Sequence, residues 1–367
     1  MKLNTVGSVL LALAVAGVAL TGCGSDDNTG GVVPAAPGSV DCSGKNALTA
    51  EGSTSQQNAI ALFNQAWRRL CPGKNMSYNP TGSGAGREQF IAGHVDFAGS
   101  DSPLSAEQVI QAAKRCGGNP AWHLPLVFGP IVLAYHLAAV DALVLSGDVL
   151  AGIYSGAITV WNDPAITALN PGVALPDMKI TPIYRSDSSG TTDNFQQYLI
   201  AAAPGSWTKG AGSEFQGGVG EGAQKSAGIV QAVQTTPGAI GYVEKGFVDQ
   251  AGMPFARIDP GSGAVALTDA AARTALESAK FTSEDSNDLR LDLNSLYGTT
   301  VAGAYPLVLV TYEIVCSRGY GPDTSAAVRS FLTMAADNGQ DGLGAAGYIP
   351  LPERFRQRLI AAVDAVQ

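Results

Sequence analysis

The stretch Val95-Asp96-Phe97-Ala98-Gly99-Ser100-Asp101-Ser102-Pro103 decides how this chain folds. A short apolar strand, Val95 to Ala98, runs directly into small polar residues, and a helical pattern follows from Ala106. The same order occurs twice upstream. A strand at Ala47 to Ala50 leads into Gly52-Ser53-Thr54-Ser55 and then a helix in which Ile60, Phe63, Trp67 and Leu70 recur at helical spacing, which places Trp67 in the core. A strand at Met76 to Tyr78 leads into the loop Thr81-Gly82-Ser83-Gly84-Ala85-Gly86 and a helix through Phe90 and Ile91. Alternating strands and amphipathic helices predict α/β layers.

Further along, two apolar strands follow each other closely, Leu124 to Val127 and Ile131 to Tyr135, and a similar run recurs at Tyr305 to Val315. Chain crossings between two lobes have this look. Between them lie a helix near Asp148 to Tyr154, a strand near Ile180 to Tyr184, the loop Arg185-Ser186-Asp187-Ser188-Ser189-Gly190-Thr191-Thr192, and a helix carrying Phe195, Tyr198 and Leu199. The length exceeds what one hydrophobic core usually organises, so two domains are expected.

The N-terminus reads as an export signal. Lys2 precedes an apolar run from Val6 to Leu20, too short for the roughly 18 residues of a membrane span. Thr21-Gly22-Cys23 then gives way to polar Gly24-Ser25-Asp26-Asp27, the layout of a signal cleaved before a lipidated cysteine, here Cys23. Residues 1–22 are therefore expected to be removed, and Cys23 with the Gly, Ser, Asp, Asn and Pro-rich segment to about residue 46 to serve as lipid anchor and flexible tether. Cleavage takes away one Lys and moves the net charge from −9 to −10. With no basic run interleaved with aromatics, nucleic acid is not an expected partner, and any anion site must be local. Cys42, Cys71, Cys116 and Cys316 remain as an even set in an oxidising compartment, which predicts two disulfides. Three pairings are open. Cys71 with Cys116 is favoured because each follows an apparent helix, leaving Cys42 with Cys316.

A helix N-terminus presents unpaired backbone N–H groups and partial positive charge, so Ser or Thr there can both cap the helix and donate to an anion. Four loops have this character: Ser53 to Ser55, Ser83-Gly84, Ser100 to Ser102, and Ser188 to Thr191. Each alone is ordinary capping chemistry. Together with Arg185, whose planar fork suits tetrahedral oxyanions, they suggest one anion site. Asp187 is placed to orient Arg185. Asp101 is the more telling residue: a carboxylate aimed at an anion repels it unless the ligand keeps a proton to donate, as phosphate does near neutral pH and sulfate does not.

On these segments, and on Glu51 to Thr54, Thr81 to Gly86, Gly217 to Gly222, Thr236 to Tyr242 and Tyr305 to Leu309, the chain resembles the phosphate-binding lipoproteins of ABC-type phosphate importers, especially actinobacterial ones. The resemblance covers nearly all of the mature chain. It implies a type II periplasmic-binding-protein fold, with lobe I from residues 47–130 and 304–367, lobe II from residues 131–303, and a ligand cleft between them. It further implies phosphate ligands at Thr54, Ser55, Ser83, Asp101, Arg185, Ser189, Gly190 and Thr191, with Asp187 supporting. The first loop departs from many relatives, where Ala-Thr-Phe stands in place of Ser53-Thr54-Ser55, so Ser55 is expected to contribute its backbone N–H. The implied partners are inorganic phosphate and the permease subunits of the importer, on the outer face of the cell membrane, with the receptor a monomer that needs no cofactor or metal.

Rival readings are weaker. An esterase would need a metal or an activated nucleophile. His94, His123 and His136 lack metal-ligand spacing, and neither a G-x-S-x-G elbow nor a phosphate-binding G-x-x-x-x-G-K-[ST] loop occurs. A surface adhesin or scaffold has no need of four anion-type loops, and Asp101 argues against a sulfate or molybdate receptor.

Overall fold

The computed structural model describes residues 40–299 and 301–367. The expected signal peptide, Cys23 and most of the expected tether fall outside the described residues. Three parallel strands, β1 (Ala47–Gly52), β2 (Asn75–Pro80) and β3 (Phe97–Ser100), alternate with helices α1 (Gln57–Leu70), α2 (Ser83–Ile91) and α3 (Ala106–Arg115). The 15-residue strand β4 (Ala121–Tyr135) follows. After it come β5 (Val144–Ser146), α4 (Gly147–Ser155), α5 (Pro164–Leu169), β6 (Thr181–Arg185), α6 (Gly190–Ala202), β7 (Glu221–Ala223), α7 (Lys225–Thr235), β8 (Ala239–Glu244) and α8 (Lys245–Ala251). Shorter pieces, β9 (Arg257–Asp259), α9 (Asp269–Ser278), β10 (Lys280–Phe281), β11 (Leu291–Asp292) and α10 (Leu293–Tyr297), lead to β12 (Val308–Cys316), α11 (Pro322–Ala336) and α12 (Glu353–Asp364).

One sheet runs β2-β1-β3-β12-β4-β8-β6-β7. Its pivot is β4. Ala121 to Pro130 pairs antiparallel with β12, whereas Ile131 to Tyr135 pairs with β8, so one strand belongs to two half-sheets. The return crossing lies beside it, with the Ile131 N–H donating to Leu307 O at 2.9 Å. This is the two-lobed α/β periplasmic-binding architecture. The two strands expected at 124–127 and 131–135 are thus one continuous strand. All nine residues of β12 are buried, which is why its sequence reads as a mainly apolar run, broken by Thr311 and Glu313, rather than an alternation.

The first half-sheet is covered on both faces. Phe97 packs with Trp67, Phe63 and Phe331, while its neighbour Ala98 faces a separate cluster with Phe90, Leu104, Ala112 and Ile314. Consecutive strand residues point to opposite faces, so α1 lies on one side and α2 and α3 on the other. Trp67 is fully buried, its ring edge-on to Phe331 at 5.3 Å and its Nε1–H on Ser330 Oγ at 3.0 Å. Leu70, expected on the same stripe, is 39 % exposed because α1 ends there.

That layering overturns the favoured disulfide pairing. The bridges are Cys42–Cys71 and Cys116–Cys316, each with Cα atoms 5.4 Å apart. Cys71 belongs to the cluster beneath α1, whereas Cys116 lies in the α2 and α3 cluster beyond the sheet, out of bridging reach. Cys316, at the end of β12, is on the same side as Cys116. Cys42 lies against the end of α1, its Sγ 3.7 Å from Leu70 O.

Candidate anion-binding site

The first wall is built where β1, β2 and β3 end side by side. Gly52 closes β1 with φ +143°, and a Cβ there would stand 2.0 Å from Gly99 O, so the two strand ends touch as only glycine permits. Beyond it Ser53, Thr54 and Ser55 are buried. Ser53 and Ser55 join hydroxyl to hydroxyl, and the Ser55 N–H donates to Ser53 Oγ at 3.1 Å. The Ser55 hydroxyl donates to Asp101 Oδ1 at 2.7 Å. Both donors of Ser55 are therefore engaged inside the wall, and its expected backbone contribution to a ligand has another use. The segment expected as a loop at 81–86 is helical from Ser83 onward. Ser83 Oγ accepts the Asp101 N–H at 3.1 Å and donates to Asp101 Oδ2 at 3.3 Å.

The second wall comes from one continuous segment. Strand β6 delivers Arg185, 2 % exposed, whose Nε–H donates to Asp187 Oδ1 at 2.7 Å while Nη2 bonds the other oxygen. Burial works against the guanidinium charge, but the Asp187 hydrogen bonds and charge outweigh it and raise the Arg185 pKa. Burial likewise pushes the Asp187 carboxyl up, and the same pairing overcomes it to hold that acid below its ordinary range. Lys225, with a left-handed φ of +63°, gives its N–H to Asp187 Oδ1 at 2.9 Å. Ser189 caps α6, accepting the Thr192 N–H at 3.2 Å, which leaves its own hydroxyl proton to donate. The Thr191 hydroxyl donates to Glu244 Oε1 at 2.6 Å. Glu244 is 2 % exposed, and burial raises its carboxyl against the pull of Arg185.

The walls meet. A Cβ on Gly190 would lie 2.6 Å from both Asp101 Cβ and Ser83 Oγ, so the first residue of α6 sits directly against the opposite loops. The Gly84 N–H donates to Ser188 O at 3.1 Å, and Thr54 Oγ1 and Ser226 Oγ are 2.8 Å apart. Asn194 Nδ2 bridges Asp101 O at 2.7 Å and Gly190 O at 2.8 Å. At the rim Ser102 donates to Asp193 Oδ2 at 2.6 Å, and Arg87 Nη2 to Ser213 Oγ at 3.0 Å. The sequence-derived residues Thr54, Ser55, Ser83, Asp101, Arg185, Asp187, Ser189, Gly190 and Thr191 thus stand in one cluster.

Sequence reasoning missed Arg87, Asn194, Ser226, Glu244, Thr311 and Glu313. Three carried a signal: Thr311, Glu313 and Glu244 are polar residues in otherwise apolar, buried strands, where a polar group needs a partner or a purpose. His123 is structural, accepting the Leu104 N–H at 2.9 Å and lying 2.6 Å from Asp288. Among the described residues no three His, Cys, Asp or Glu side chains gather as a metal site would require.

A two-lobed sheet with helix N-termini, a paired arginine and a buried carboxylate converging between its halves is the build of a solute receptor. In agreement, the PBP superfamily domain model matches residues 39–338. The phosphate-binding protein PstS 3 of Mycobacterium tuberculosis is 46 % identical over the full length of both chains, and PstS 3 of Mycobacterium leprae 45 %. PstS 2 of Mycobacterium tuberculosis is also 46 % identical over both full lengths. The chain belongs to the PstS family of phosphate-binding proteins. Among solved structures, the high-affinity periplasmic phosphate-binding protein PfluDING, determined with phosphate, aligns with TM-score 0.70 at 22 % identity, covering 86 % of this chain and 93 % of that one. A phosphate-binding protein from Stenotrophomonas maltophilia aligns with TM-score 0.66 at 22 % identity, covering 86 % and 94 %. At such identities these two bear on the fold alone.

Proposed function

We propose that this protein captures one inorganic phosphate between its lobes and hands it to the permease of an ABC importer. The observation that supports this most is the position of Asp101: a buried carboxylate, fed by hydroxyls on its own wall, pressed against the N-terminus of α6 on the other. A carboxylate opposite a helix N-terminus suits an anion that brings its own proton. In this reading Asp101 accepts the P–OH proton. Arg185, oriented by Asp187, supplies the full positive charge, while Ser189, Gly190 and Thr191 donate through the first turn of α6. Thr54 donates from the first wall and Ser83 through its backbone N–H at the start of α2, while the Ser55 and Ser83 hydroxyls act by holding Asp101. Lobe I is taken as residues 47–130 and 304–367 and lobe II as 131–303, with the closed state favoured because only it presents both walls to the ligand.

The receptor is read as tethered outside the cell membrane by a lipid on Cys23, and release into the soluble fraction after Cys23→Ala checks that anchor. The function itself is tested by calorimetric titration of protein stripped of endogenous anion. One phosphate per chain, undisturbed by excess sulfate, is the expected outcome; absence of heat with phosphate would overturn the reading.

A further inference from the structure

The last strand of the first half-sheet reaches into the site. In the antiparallel pairing of β12 with β3, Tyr312 stands opposite Ser100 and Glu313 opposite Gly99. Continuing that register by one residue puts Thr311 across from Asp101, and directly opposed residues of an antiparallel pair share a face. The contact is made: Thr311, fully buried, donates its hydroxyl to Asp101 Oδ1 at 2.7 Å. On the other side of β12 the ladder to β4 is irregular at this same residue. Thr311 pairs with Val127 but Tyr312 with Pro125, so Leu126 is an extra residue on β4. Pro125 has no N–H to give a regular ladder, and such a bulge re-aims the side chain beside it.

The two oxygens of Asp101 are consequently unlike. Oδ1 accepts two short bonds, from Ser55 and Thr311, each 2.7 Å. Among the described residues Oδ2 accepts only the longer bond from Ser83, 3.3 Å, and it is the oxygen that a Cβ on Gly190 would approach to 2.9 Å, the side of the opposite wall. We infer that Thr311 is a positioning residue for phosphate recognition: by occupying Oδ1 from β12 it keeps Oδ2 turned to the cleft as the acceptor of the ligand's proton. The inference rests on the phosphate reading of the site and adds to it a residue 210 positions away from Asp101 in the chain.

Three variants of the whole protein test it, with wild type titrated first. Thr311→Val keeps the shape and loses the hydroxyl, Thr311→Ser keeps the hydroxyl and loses a methyl, and Thr311→Ala loses both. Phosphate affinity is expected to fall roughly tenfold in Val and Ala, the scale of one hydrogen bond to a charged group, and to return to near wild type in Ser. Should Val not fold, the comparison of Ser with Ala carries the same information. Wild-type affinity in Val or Ala, or a Ser variant as weak as Ala, would overturn the role of the hydroxyl while leaving the phosphate reading intact. A wild-type protein that binds no phosphate would overturn both.

Discussion

The two walls of the site solve the problem of a buried charge in opposite ways. On the second wall the arginine, its partner acid and the helix start come from ten consecutive residues, 185–194, backed by Lys225, Ser226 and Glu244 from elsewhere, and the main charge pair neutralises itself locally, Arg185 against Asp187 two residues on. On the first wall the carboxylate Asp101 has no cation bonded to it among the described residues. It is held by hydroxyls from three separate places, Ser55 after β1, Ser83 at the start of α2 and Thr311 on β12. Hydroxyl donors support a carboxylate without cancelling its charge, so the first wall keeps an acceptor while the second keeps a cation fork. On the proposed reading, such a pair of walls would distinguish a protonated oxyanion from a bare one.

The largest expected effect breaks the second wall. Arg185→Ala removes the cation and leaves Asp187 partly buried without its partner, so phosphate affinity should drop roughly a hundredfold or more, with a lower melting temperature, both measurable on one purified variant. Retained affinity would mean that the fork is merely structural. Next, Gly190→Ala places a methyl against Asp101 and Ser83 and props the walls apart. A loss of about tenfold to a hundredfold is expected from the overpacking alone, and small-angle scattering with saturating phosphate should show a less compact protein.

A third prediction concerns the acid that has neither solution. Glu313 is fully buried on β12, and although the Gln56 side chain lies close enough to pull its pKa down, neither oxygen has a well-formed hydrogen bond among the described residues and burial raises the pKa well above 4.5. The folded state then holds a proton that the unfolded state gives up, so stability is present below about pH 4.5 and is lost as pH rises toward the folded pKa. Glu313→Gln should match wild type near pH 4 and gain on it by about 1.4 kcal/mol per pH unit above that, until Glu313 ionises. Parallel melting curves from pH 4 to 8 check this; a constant offset would show Glu313 to be ionised in the fold. The smallest effect is expected from Ser226→Ala, which removes one neutral bond between the walls, to Thr54. About fivefold weaker phosphate binding is predicted, on the scale of a single uncharged hydrogen bond.

The contrast between the walls also explains what could be read from sequence. The second wall is contiguous, so Arg185, Asp187 and the Ser189-Gly190-Thr191 helix start were visible together, as was each strand-to-helix loop of the first wall. Thr311 was not, because its place depends on the register of β12 against β3, a pairing more than two hundred residues apart and set by the fold as a whole. The disulfides failed for a related reason. Cys71 and Cys116 both end helices, but which face of the sheet each helix covers is decided by the strand order, and they lie on opposite faces. The start of α2 at Ser83 was hidden by its glycines, which are poor helix formers kept here because Gly84 and Gly86 pack against Ser188 and Gly52.

The central claim is that Asp101 selects the anion by accepting its proton, and the most direct measurement is the titration of wild type and Asp101→Asn with phosphate, each alone and against excess sulfate. Wild type is expected to bind one phosphate tightly and indifferently to sulfate, and the variant to bind it more weakly and with sulfate in competition. Equal phosphate affinity in the two proteins, with sulfate competing in neither, would contradict that claim.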